Sequence, residues 1–176
     1  MKVAFIGIDN GSTGSIGIQE YKDQSLIRVR FFVTPVYKIQ DFQKKANNIS
    51  QLDFEKLKDI LIKYVDYSVV YMAMERPVTG RFVKSMIAGA RIHQQYLDLC
   101  QFLGMSPPLI VDSKQWQSKF LPKGSKKDQL KIKSKQLGMQ RWPQFKNRID
   151  RHGDADGLWI SEWMRKEVMM KGEENK

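Results

Sequence analysis

The chain has 176 residues, of which 41% are apolar and 11% aromatic, and it carries a net charge of +11; that suits one globular domain with a proper core. No run reaches the roughly 20 apolar residues of a membrane span, and the first residues enter a strand pattern directly rather than a leader peptide. Cys100 is the single cysteine, which excludes an internal disulfide and a multi-cysteine zinc site and fits a cytoplasmic setting.

Residues 3–8 read as a buried strand and 16–18 as the start of the next, with Asp9 at the end of the first. Gly11 and Gly14 suit the tight turn between them. Residues 26–33 partly alternate and predict a third strand, and 35–48 a loop. Ser50 and Asp53 form a capping-box pattern for a helix to about 65, with Leu57, Ile60, Leu61 and Tyr64 on one face. Residues 68–74 are nearly all apolar, as in a sheet centre, and Glu75-Arg76-Pro77 ends that strand. A long helix over 81–103, closed by Gly104, carries two apolar stripes, Phe82/Met86/Ala90/His93/Leu97 and Ile92/Tyr96/Leu99/Leu103. Two such faces predict a sheet on one side and a second subunit on the other. Residues 109–111 form a short fifth strand, 158–164 belong to a last helix, and 166–176 read as a polar tail after a single domain spanning 1–165. Three strands, then helix, strand, helix, strand, helix, predict an α/β sheet with helices on both faces.

The positive charge is concentrated. From residue 113 to 151, twelve Lys and Arg face only Asp128 and Asp150, a surplus of ten positive charges in under a quarter of the chain. Such a block points to a polyanion, nucleic acid first; it lacks the bulky apolar stripe of a membrane-surface helix. Seven lysines, 119, 123, 126, 127, 131, 133 and 135, lie within it. A solvated helix face is the usual fate of such a run, but its charge density would still neutralise phosphates and make binding salt-sensitive.

Acids stand at three separated places: Asp9 and Glu75, each at the C-terminal end of a strand, and Asp154 and Asp156 before the last helix. Singly, each has a bland reading, as turn, ion-pair or helix-capping residues. Jointly, beside the lysine block, they make sense around divalent metal. Two Mg²⁺ ions about 4 Å apart can align a water, a scissile phosphate and the leaving oxygen, and hard oxygen ligands suit Mg²⁺.

The order and spacing of Gly7-Ile8-Asp9-Asn10-Gly11-Ser12-Thr13-Gly14, Met74-Glu75-Arg76-Pro77, Asp112-Ser113-Lys114-Gln115-Trp116, Lys126-Lys127-Asp128-Gln129-Leu130 and Asp154-Ala155-Asp156-Gly157-Leu158-Trp159 resemble RuvC-type Holliday junction resolvases, particularly the shorter phage-encoded kind, over residues 1 to about 165. The resemblance implies an RNase H-like fold with a mixed five-stranded sheet and helices on both faces. It implies a homodimer, through the 81–103 helix, that nicks four-way DNA junctions in pairs with two Mg²⁺ per site, Mn²⁺ substituting, and leaves 5′-phosphate and 3′-hydroxyl ends. A phage-encoded enzyme would work in the host cytoplasm. Asp9 and Glu75 match the family's first two catalytic acids and Asp156 the last.

A further acid or histidine is usual about three residues before that last Asp; here Gly153 stands there, with His152 and Asp154 on either side. On a continuous helix His152 would share a face with Asp156; if the helix starts at Asp154, that carboxylate can swing in. Both stay open as metal-binding or catalytic residues. Lys127 matches the family's active-site lysine, which steadies charge on the phosphate, with Lys126 its near neighbour. Lys114 and Lys119 correspond loosely to another basic position. Arg81, Lys123, Lys126 and Lys131 complete the DNA-binding candidates, while Trp142 and Phe145 read as core.

No sequence-reading module is visible, so recognition would rest on junction shape and phosphate placement. Three other readings remain: a broader RNase H-like nuclease acting on flaps, forks or hybrids; a non-catalytic DNA-binding protein; and an actin-like ATPase fragment, whose first phosphate loop resembles Asp9 to Thr13 but which needs a second such loop.

Overall fold

The computed structural model describes residues 1–40, 48–77, 83–122, 124 and 127–174. Strands β1 (Lys2–Ile8), β2 (Ser15–Lys22) and β3 (Ser25–Val33) form an antiparallel meander. The β2–β3 hairpin turns on Asp23 and Gln24, both at positive φ (49° and 68°), as in a two-residue turn whose twist matches its strands. Strand β4 (Val36–Gln40) pairs with β5 (Asn48–Leu52) as a separate two-stranded ribbon. The sequence predicts a loop over most of that stretch. The ribbon is held by its cross-strand ladder, by a Lys38 Nζ to Ser50 Oγ hydrogen bond of 2.8 Å and by burial of Leu52, all non-local.

Helix α1 (Phe54–Leu61) is capped by Asp53, whose carboxylate accepts from the Lys56 N–H at 3.1 Å; Ser50 belongs to β5 instead. One 3₁₀ turn follows, and then β6 (Val69–Glu75) lies parallel to β1. Helix α2 (Val83–Phe102) leads to β7 (Leu109–Val111), parallel to β6. The sheet order β3-β2-β1-β6-β7 is therefore mixed and five-stranded, as the sequence predicts.

The basic block folds into helices α3 (Ser113–Phe120), α4 (Lys127–Arg141) and α5 (Lys146–His152), followed by α6 (Asp156–Glu174). α6 thus continues well past residue 165, where the sequence predicts a polar tail to begin. Its extension lies along α3: Lys119 pairs with Glu167, and the Lys166 ammonium sits 4.8 Å from the centre of the Phe120 ring. No described helix is long and apolar enough to cross a membrane.

Alternation along β1 divides the core in two. Ala4, Ile6 and Ile8 pack with Leu57 and Leu61 of α1 and with Ile92, Tyr96 and Leu99 of α2. The opposite face packs Phe31 and Ala73 against Trp116, Trp142, Leu158, Trp159 and Ile160. Here α6 lies backbone to backbone on the sheet. A Cβ on Gly17 would stand 2.4 Å from the Leu158 Cα, and one on Gly157 would stand 2.6 Å from the Ser15 oxygen. Only glycine permits that approach, and it brings the first turn of α6 directly over the ends of β1 and β2. On α2, Ile92, Tyr96 and Leu99 are buried, whereas Met86, Ala90, His93 and Leu97 of the second stripe are partly or fully exposed; Phe82 lies outside the described residues.

Candidate functional site

Ile8 pairs with Met74 in parallel register, so Asp9 and Glu75 leave adjacent strands side by side, about 5 Å apart as strand spacing dictates. The loop after Asp9 closes tightly: the Asp9 N–H donates to the Ser15 oxygen at 2.9 Å, and the Gly14 N–H donates to the Gly11 oxygen at 3.1 Å. Gly14 is pressed against Asp9, since a Cβ there would stand 2.0 Å from the Asp9 carbonyl oxygen.

The third acidic group arrives from the far end of the chain. Gly153, at φ 107°, ends α5 in the left-handed region, with its N–H on the Ile149 oxygen at 2.9 Å. Helix α6 begins only at Asp156. His152 and Asp156 therefore do not share a continuous helix. The Gly157 N–H donates to Ser15 Oγ at 3.1 Å, fastening the start of α6 to β2.

These constraints bring one carboxylate oxygen each from Asp9, Asp154 and Asp156 within 4.8 Å of one another. Asp154 is almost fully buried; its Oδ1 accepts from the Asp156 N–H at 3.3 Å and lies 3.3 Å from His152 Nε2. The imidazole contact falls short of hydrogen-bond geometry, although it is close enough to act on the carboxylate. His152 is wedged behind Asp154 with its ring edge-on to Phe31, outside the group of three.

Burial pushes the Asp9 carboxyl well above the usual carboxylate range, and the charges of Asp156, Glu75 and Asp154 push it further. Burial and the Asp154 charge raise Asp156 to about 7, against the Ser134 hydrogen bond. At Asp154 burial acts upward too, but His152, the Asp156 N–H and Lys131 outweigh it and hold the carboxyl below its ordinary value. Like charges crowded in a recess raise one another's proton affinity unless a cation joins them.

Two supporting residues are absent from the sequence expectations. Ser134, buried on α4, donates its hydroxyl to Asp156 Oδ1, and the Ala155 N–H donates to the same hydroxyl oxygen at 3.3 Å. Trp116, on α3, donates its indole N–H to Glu75 Oε2 at 2.8 Å. The usable signal for Ser134 was its i, i+4 spacing from Gly138, two small residues in a lysine-rich helix. A Cβ on Gly138 would stand 2.4 Å from the Ala155 Cβ. Trp116 stands within the Asp112 to Trp116 motif, but nothing local marks it as a partner of Glu75.

The basic candidates separate. Lys131 Nζ lies 3.4 Å from Asp154 Oδ2 at the rim of the cluster. Lys114 is exposed on the first turn of α3, and Lys119 is paired with Glu167. Lys127 is the first residue of α4, one turn before Lys131. Arg81, Lys123 and Lys126 lie outside the described residues. Trp142 is buried edge-on to Trp159, with ring centres 4.6 Å apart, and Phe145 is half-buried beside Phe31.

No protein-family model and no curated protein matches the chain. Among solved structures it is similar to Thermus thermophilus RuvC in complex with a Holliday junction substrate. That match has 16% identity, a TM-score of 0.56, and covers 97% of this chain and 96% of that one. A second Thermus thermophilus RuvC structure matches with 16% identity, a TM-score of 0.53 and 97% of both chains covered. At this identity the likeness establishes the fold: RNase H-like α/β, with a mixed five-stranded sheet and helices on both faces.

Proposed function

We propose that this protein is a structure-selective, divalent-metal-dependent endodeoxyribonuclease that resolves four-way DNA junctions. The observation that carries the reading is the meeting of Asp9, Asp154 and Asp156 oxygens within 4.8 Å, beside Glu75, on a fold similar to RuvC along nearly its whole length. The donor set fits a hard divalent cation: it is all carboxylate oxygen. Asp9 and Asp156, held unfavourably charged when alone, would be relieved by a cation. Asp9, Glu75, Asp154 and Asp156 would hold two Mg²⁺ ions, with Mn²⁺ as a substitute and His152 bracing Asp154. Bound there, the ions would stabilise negative charge on the phosphate and make water a stronger nucleophile.

The chain's own groups then have separate tasks. Ser134 holds Asp156 in its rotamer, and Lys131 brings an ammonium to the rim where a phosphate would lie. Lys127, by the family likeness, would steady charge building on the phosphate. Lys114 and Lys119, with Arg81, Lys123 and Lys126, would grip the backbone of the junction arms. Lys119 would exchange Glu167 for a phosphate. Such contacts position DNA without reading its sequence. The half-exposed stripe of α2 would pair with that of a second copy. A two-fold dimer suits a two-fold junction and permits paired nicks, with 5′-phosphate and 3′-hydroxyl ends. The setting would be the cytoplasm.

The test is cleavage of a synthetic four-way junction with Mg²⁺ by the wild type and Asp9→Asn. The variant should lose about a thousand-fold in rate, matching the several kcal/mol that metal-assisted charge stabilisation supplies. The wild-type nicks should be sealed directly by ligase. Equal nicking by both proteins would overturn the assignment. Equal rates on flaps, forks or RNA–DNA hybrids would replace junction selectivity with a broader nuclease activity.

A further inference from the structure

Glu75 is held differently from the other acids. Asp9, Asp154 and Asp156 crowd one another, whereas Glu75 has Oε2 bound by the Trp116 indole N–H at 2.8 Å. We infer that Trp116 is a positioning residue, whose neutral donor pins Oε2 of Glu75 and so fixes how the carboxylate is turned toward the metal. This rests on the reading that Glu75 helps hold a divalent cation.

Three observations carry it. First, Trp116 is fully buried in the core that includes Ala73 and Val111, so its ring cannot touch DNA and packing fixes where its N–H points. An indole N–H only donates, and burying it without an acceptor costs about 1–3 kcal/mol; ring and carboxylate therefore fix each other. Second, α3 is latched to the end of β6 beside Glu75. The Arg76 N–H donates to the Val111 oxygen at 2.8 Å, Arg76 Nε donates to Asp112 Oδ1 at 2.7 Å, and the Asp112 N–H donates to Gln115 Oε1 at 2.7 Å. Donor and acceptor thus share one rigid junction. Third, the donor is uncharged. An arginine or lysine there would also orient Glu75, but it would neutralise the carboxylate and compete with a metal for it. An indole aims the group without bringing a charge of its own.

Phenylalanine at 116 keeps a ring and removes the N–H. In ¹⁵N-labelled wild-type protein, the indole resonance assigned by its loss in Trp116→Phe should be slow to exchange, and it should shift on Mg²⁺ titration. In Glu75→Ala it should move and exchange faster. By calorimetry without DNA, Trp116→Phe should bind Mg²⁺ about ten-fold more weakly, as loss of a supporting contact does. The double variant should be no weaker than Glu75→Ala alone, because the two residues act as one unit. Wild-type Mg²⁺ affinity in Trp116→Phe, additive losses, or an indole signal indifferent to Glu75→Ala would overturn the inference. Should Trp116→Phe fail to fold, the indole is assigned instead from sequential and through-space correlations in the wild type, and its shift on Mg²⁺ titration, present in the wild type and lost in Glu75→Ala, decides alone. Absence of Mg²⁺ binding by the wild type would remove the metal reading and this inference together. Metal binding without junction cleavage would remove only the nuclease reading.

Discussion

Gly7 on β1 and Ser161 on α6 meet through their backbones: a Cβ on Gly7 would stand 2.1 Å from the Ser161 nitrogen and 2.4 Å from the Gly157 oxygen. These are main-chain atoms on both sides, so no side chain can swing aside. Gly7→Ala should push α6 off the sheet and cost about 3 kcal/mol or more, the upper range of overpacking, read as a fall in the denaturant midpoint. Gly104→Ala is the contrast, at φ 66° with open space around it. It should cost only the left-handed strain of about 1–2 kcal/mol. Equal losses at both positions would contradict the close-packing account.

Ser134 supports Asp156 and the Ala155 N–H with one hydroxyl. Ser134→Ala should leave the fold standing, at a cost of about 1–3 kcal/mol for the orphaned N–H, and should weaken Mg²⁺ binding about ten-fold. Calorimetry and a thermal melt on one preparation separate these effects. A loss of stability with unchanged metal affinity would make Ser134 a packing residue only.

Asp156 has its folded value raised to about 7, and Asp9 is raised with it, while an unfolded aspartate titrates near 3.9. The folded state binds these protons more tightly. The Asp156 contribution to stability is therefore complete below about pH 4 and is lost as pH rises through about 7, and Asp9 adds a loss of the same sign. The metal-free protein should melt at a lower temperature at pH 8 than at pH 5, and Mg²⁺ should raise the melting point more at pH 8, where fewer protons must leave. In Asp156→Asn the slope between pH 5 and 8 should shrink. An unchanged slope would show that the carboxylate cluster does not govern it.

Glu20 is a buried carboxylate remote in role from the cluster. It accepts from Tyr64 Oη at 2.9 Å, Tyr67 Oη at 3.0 Å and Arg30 Nε at 2.6 Å. Burial raises its proton affinity, but these donors together outweigh burial and lower it. Its contribution is therefore present above the unfolded value near 4.3 and fades as pH falls through the lower folded one. Glu20→Ala should cost about 1–3 kcal/mol at neutral pH by orphaning two hydroxyls, with little added by Arg30, which is partly exposed and can turn to water. Mg²⁺ affinity should stay unchanged, as titration of the variant would show.

The five sheet strands are legible in the chain because each is a short apolar or alternating run bounded by turn residues. The adjacency of Asp9 and Glu75 is legible only on the condition that their strands are parallel neighbours, a condition that the register of Ile8 with Met74 meets. The β4–β5 ribbon is not legible, since its stability lies in pairing Val36–Gln40 with Asn48–Leu52 rather than in either segment. The glycines of the opening motif divide in an unexpected way. Gly11 and Gly14 serve the turn, as the sequence predicts, while Gly7 and Gly17 sit inside strands for the approach of α6, whose contact lies over 140 residues away. Which of His152 and Asp154 faces Asp156 hinges on the left-handed turn at Gly153, and periodicity carries no information about where a helix is broken.

By itself the sequence determined an α/β alternation, acids at two strand ends and before a final helix, and a concentrated run of lysine. Those features depend on residue type and on contacts only a few positions apart. The tertiary structure decided which oxygens meet: Asp154 with Asp9 and Asp156, Ser134 on Asp156, Trp116 on Glu75. Separations of 22 and 41 residues along the chain become single hydrogen bonds, because glycine-mediated helix–sheet contact and the packing of buried rings set those distances, and neither is written in any local stretch.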